Sequence, residues 1–128
     1  KPTGVEWKDT KLRLRIEDHP TPLKELKRLI RIHRAYQHAN KGDYYMEKDQ
    51  IDNALIEYTK ASEYYPENPE LPYWSAVALV NGGRVNEALP VFKSVFKSNP
   101  KLKIMTPRLI KSGLLIDDEE VLKKIMMQ

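Results

Sequence analysis

Residues 53–66 read NALIEYTKASEYYP and residues 86–100 read NEALPVFKSVFKSNP. Aligned at their alanines, the two stretches pair Ala54 with Ala88, Tyr58 with Phe92 and Pro66 with Pro100, each 34 residues apart. The same offset brings Ile51 to Val85, Asp49 to Gly83, Tyr45 to Leu79 and Gly42 to Ala76, so small, large apolar and chain-breaking residues mostly recur in phase. Ala61 against Val95 is the looser pair. Self-similarity at this period marks a supersecondary unit copied along the chain, each copy burying its apolar face against its neighbours. Ala54 and Ala88 are small enough to let two helix axes approach to about 8 Å. Tyr58 and Phe92 follow one turn later and fill the same groove, while Pro66 and Pro100 stop the second helix of each pair.

The spacing predicts helices over 36–47, 51–64, 70–81 and 85–98. Gly82 and Gly83 supply the turn of the second pair at low steric cost, and Lys48, Asp49 and Gln50 take that place in the first. The ordered set Gly42, Tyr45, Ala54, Tyr58, Ala61 and Pro66 resembles the tetratricopeptide repeat, with repeats at about 35–68 and 69–102. The pattern departs from that family at His38 and Lys41, where a large apolar residue is expected, and at Pro72, where the second repeat would carry its first bulky side chain. The resemblance implies an all-α superhelix with a groove lined by the first helix of each pair. It places the groove-facing positions at Tyr36, Ala39, Asp43, Met46 and Glu47, and at Glu70, Tyr73, Val77, Val80 and Asn81. Family members that clamp a terminal carboxylate use lysine and asparagine in the middle of this face. Ala39, Asp43, Tyr73 and Val77 stand there instead, which disfavours chaperone-tail binding and leaves a mixed apolar and acidic groove.

Upstream, Leu12, Leu14 and Ile16 alternate with Arg13 and Arg15 as in a half-buried strand, an arm within residues 1–20 that is expected to pair with a second copy of the chain or with a missing upstream domain. Thr21-Pro22 is a good start for a helix. From there Leu23, Leu26, Leu29 and Ile30 lie opposite Lys24, Lys27, Arg28, Arg31 and Arg34, and no breaker intervenes before Gly42, so this amphipathic helix is expected to run on into the first repeat. The string LRLRIEDHPTPLKELKRLIRIHRAY (residues 12–36) also resembles the segment that follows the Ntn-hydrolase-like half of an uncharacterised bacterial family, whose tail carries tetratricopeptide repeats or a peptidoglycan-binding label. The resemblance implies a C-terminal piece of a larger protein, as does a chain that opens at Lys1. Downstream, over 103–128, the 34-residue step fails. Leu102, Met105, Leu109, Ile110, Leu114 and Leu115 still form an apolar stripe, and Asp117-Asp118-Glu119-Glu120 reads as a cap ahead of Val121, Leu122, Ile125 and Met126. These are expected to be capping helices that close the stack.

Composition narrows the chemistry. At 128 residues the chain holds one domain of 21–128 plus the arm, and no apolar run approaches a membrane span. Residues 1–34 carry ten Lys or Arg against five Asp or Glu, and the remainder twelve against thirteen. Only Trp7 lies among the aromatics of the basic third, which argues against a nucleic-acid surface. There is no cysteine. His33 and His38 are five residues apart, about 140° on a helix, rather than at metal-pair spacing. Asp18-His19 has no nucleophile beside it, Gly82-Gly83 lacks a following Lys-Ser or Lys-Thr, and the acidic cluster lacks the glycine of a calcium loop. No enzyme, cofactor or metal site is expected. The expected role is a protein–protein interaction module that takes a peptide or docks another domain. The alternative, implied by the second resemblance, is a cell-wall appendage on which exposed Tyr and Trp stack against sugars.

Overall fold

The structure, a computed structural model, describes residues 21–128. The described residues form only helices: α1 (Pro22–Glu47), α2 (Ile51–Tyr64), α3 (Glu70–Asn81), α4 (Val85–Ser98), α5 (Lys101–Lys111) and α6 (Glu119–Met126). The all-α expectation holds, and α2, α3 and α4 have the spans that the spacing predicts. The predicted helix 36–47 is the last part of α1, which runs unbroken from Pro22. The strand-like segment 12–16 lies outside the described residues.

The chain divides into two compact units, Lys1–His33 and Arg34–Gln128. In the first, the Thr21 carbonyl accepts the Glu25 N–H at 3.0 Å as α1 begins. The Glu25 carboxylate is buried and receives the Arg28 Nε at 2.8 Å and Nη2 at 2.9 Å. Leu29 is buried, whereas Leu23, Leu26 and Ile30 of the same expected apolar side are exposed.

The second unit is built from two helix pairs, the end of α1 with α2 and α3 with α4, followed by α5 and α6, which both contact α4. Within the first pair, small residues set the approach. Ala54 and Tyr58 of α2 are buried with Ala78 of α3, and a Cβ on Gly42 of α1 would stand 2.5 Å from Tyr58 Cε1. In the second pair Ala88 and Phe92 are buried against Tyr73, Val77 and Val80, in a cluster that also holds Leu102, Leu109, Leu115 and Ile125. The departure at His38 is accommodated by polar contacts: its Nδ1 lies 2.7 Å from Glu57 Oε1, and its ring stacks on Tyr64 at 5.5 Å. α3 and α5 run side by side in parallel. Tyr73 Oη in the first turn of α3 meets Thr106 Oγ1 in the middle of α5 at 2.9 Å, and Asn81 at the end of α3 reaches Leu114 just past the end of α5.

One turn geometry ends α1, α3 and α5. Gln50 N–H bonds the Tyr45 carbonyl (2.8 Å) and Asp49 N–H that of Met46 (3.0 Å). Arg84 and Gly83 do the same to Leu79 and Val80, and Leu114 and Gly113 to Leu109 and Ile110. This double bond from beyond the helix end requires a left-handed residue, supplied by Asp49 (φ 58°), Gly83 (φ 79°) and Gly113 (φ 79°). A second device starts α3 and α5. Asn68 Oδ1 accepts the Glu70 N–H and Asn99 Oδ1 the Lys101 N–H, at 3.0 and 3.2 Å. The expected cap at 103–128 comprises α5 and α6, beginning two residues earlier at Lys101. Its second helix opens on Asp118, whose Oδ1 accepts from Glu120 and Val121.

Candidate ligand groove

A groove of about 560 Å³ lies in the second unit, lined by Asp43, Met46, Glu47, Tyr58, Trp74, Asn81, Gly113 and Leu114. α1 contributes Asp43, Met46 and Glu47 from its last turns, three and four residues apart and therefore on one face. α3 contributes Trp74 and Asn81, two turns apart, and the turn after α5 closes the end with Gly113 and Leu114.

Each wall is held in place. Tyr58 Oη donates to Asp43 Oδ1 at 2.6 Å, which orients that carboxylate. Burial, then the hydrogen bond and the charge of Asp43, push the Tyr58 phenol far above its ordinary value, so it remains a neutral donor. The Trp74 indole meets the Tyr73 ring edge-on at 5.4 Å. Asn81 clasps the far turn from both sides, donating from Nδ2 to the Leu114 carbonyl and accepting the Ile116 N–H on Oδ1, both at 3.0 Å. Asn81 thus shapes the groove while its amide is already engaged.

Of the ten groove positions implied by the repeat resemblance, Asp43, Met46, Glu47 and Asn81 converge here. Tyr73, Val77 and Val80 do not: all three are fully buried. The period transfers the open face of the first repeat to the second, but there these residues join a core with α4 and α5. Leu102, Thr106 and Leu109 of α5 are buried with it, Tyr73 Oη bonds Thr106, and Phe92 packs edge-on to Tyr73 at 5.9 Å. Ala39 is buried too, in a cluster with Ala61 and Leu71. Tyr36 is exposed away from the groove, accepting the Asn68 Nδ2 at 2.9 Å and lying edge-on to Tyr65 at 6.4 Å. Glu70 is exposed at the start of α3.

Tyr58, Trp74, Gly113 and Leu114 are the lining residues that the resemblance misses as groove positions. Trp74 carries a signal in the sequence. Ala78, one turn on, is the small residue that fits against Ala54 and Tyr58, and this turns Trp74 toward α1 and leaves Tyr73 to the core. Among the described residues no three His, Asp or Glu side chains gather into a metal-holding group, and no helix is long and apolar enough to cross a membrane. No family model, curated protein or solved structure matches the chain.

Proposed function

We propose that this chain is a non-catalytic binding scaffold of the tetratricopeptide type, taking an extended peptide or a loop of another protein or domain in the groove between α1 and α3. The observation that carries the reading is the groove's composition. An indole, a thioether and an exposed leucine supply apolar contact, and two carboxylates add polar specificity in one open cleft, the mix expected of a binding site. The helix pairs with recurrent turns support the repeat reading, since such arrays present their first helices to a ligand.

A peptide array probed with the intact chain, beside peptidoglycan fragments in a parallel pull-down, tests this. The scaffold reading expects a defined set of peptides to bind and Trp74→Leu to abolish their capture while the helical circular dichroism is unchanged. Retention on peptidoglycan with no peptide bound would replace it by the cell-wall reading.

A further inference from the structure

The two carboxylates of the groove are placed where the free protein does not favour them. Asp43 and Glu47 are four residues apart on one helical face, a spacing at which like charges repel. Glu47 also ends α1, where the helix dipole disfavours an acid, and the last turn of α1 holds no basic residue. No lysine or arginine among the described residues answers them. Lys48, the next residue in the chain, has its ammonium over the Tyr44 ring at 5.6 Å. Arg84 is held by Glu87 at 2.7 Å and faces Asp52 at 3.8 Å. The groove lining contains no cation at all. Tyr58 donates to one oxygen of Asp43, which lines the cleft.

Beside these carboxylates stands Trp74, the aromatic residue best suited to receive a cation on its face. A guanidinium is flat, stacks on an indole and offers a fork of donors to carboxylates, whereas an ammonium is a compact, strongly hydrated point charge. Met46 and Leu114 provide apolar cover for an alkyl stem. We infer that the groove receives an arginine side chain from an extended peptide, its guanidinium on Trp74 and hydrogen-bonded to Asp43 and Glu47. This rests on the reading of the groove as a peptide site and names the chemistry of its occupant.

The test is calorimetric titration of the intact chain with short, otherwise identical Ser/Leu peptides whose central residue is arginine, lysine or citrulline, the last being arginine's neutral near-isostere. Arginine should bind tightest. Citrulline should bind at least about tenfold more weakly, as expected when charge-assisted hydrogen bonds are lost, and lysine should fall between. Glu47→Gln, at an exposed position, should weaken the arginine peptide about tenfold and shrink its advantage over citrulline, with the melting temperature held or raised. Equal affinity for arginine and citrulline, abolished in both by Trp74→Leu, would overturn the arginine inference and leave the peptide groove standing. Lysine binding as tightly as arginine would likewise overturn the guanidinium assignment. No binding of any of the three peptides would overturn both readings together.

Discussion

Gly42 and Tyr58 show how closely single residues are fitted. A methyl at Gly42 would meet three atoms of the Tyr58 ring between 2.5 and 2.8 Å, and the ring is buried and held by its hydrogen bond to Asp43. Gly42→Ala should therefore destabilise by about 1–3 kcal/mol through overpacking, outweighing a gain of about 1 kcal/mol in helix propensity. Denaturant titration should show the sign reverse in a Tyr58→Ala background, where only the propensity gain is left. Tyr58 also sets a pH dependence. Its phenol is raised in the folded chain above the ordinary tyrosine value of 10.0, so its contribution is complete below that pH and is lost as pH rises beyond it, once the unfolded chain ionises more readily. Tyr58→Phe should flatten the loss of stability above pH 10 in urea titrations. Much at this scale is legible in the sequence: the phase of Ala54, Tyr58, Ala88 and Phe92 announces their burial. Tyr73 and Trp74 are not separable that way. They are neighbours about 100° apart on a helix, and it is the fit of Ala78 against Ala54 and Tyr58 that turns Trp74 toward α1 and leaves Tyr73 to the core.

At the scale of elements, the turns carry the regularity better than the helices do. The left-handed position falls on Asp49 after α1 and on glycine after α3 and α5. An L-residue in that conformation costs roughly 1–2 kcal/mol, less for Asp than for most. Asp49→Gly should accordingly stabilise by about 0.5–1 kcal/mol, measured as a higher denaturation midpoint at an unchanged m-value. Pro90 lies inside α4 and is exposed. It removes the N–H that would bond the Asn86 carbonyl, so Pro90→Ala should stabilise by up to about 3 kcal/mol by the same measurement. The α5–α6 segment escapes a search at 34 residues for a physical reason. Asn68-Pro69 recurs at Asn99-Pro100, only 31 residues on, because the connection before α5 lacks the extra residues of Tyr65-Pro66-Glu67. The Asn-Pro start and the Gly113 stop are present, but the step between copies is shorter. The helix extents of α2, α3 and α4 were legible because caps and apolar period agree there, and the reach of α1 was legible from the absence of any breaker between Pro22 and Gly42.

Over the whole of the second unit, stacking has opposite consequences for the two first helices that carry the expected groove. α4 and α5 together bury Tyr73, Val77 and Val80 of α3 and make that face core. Asp43, Met46 and Glu47 of α1 stay on the groove side, joined there by Trp74 from the other side of α3. The site is thus a single cleft, closed at one end by the Asn81 clasp on Leu114 and Ile116, rather than a face shared equally between repeats. The central claim is that ligands enter this cleft, and amide chemical-shift mapping of the labelled chain during titration with the arginine peptide tests it most directly. The account predicts that the largest shifts fall on Asp43, Met46, Glu47, Asn81, Leu114 and the Trp74 indole N–H, with α4 nearly silent; shifts centred on α4 or α6, with the Trp74 indole unmoved, would contradict it.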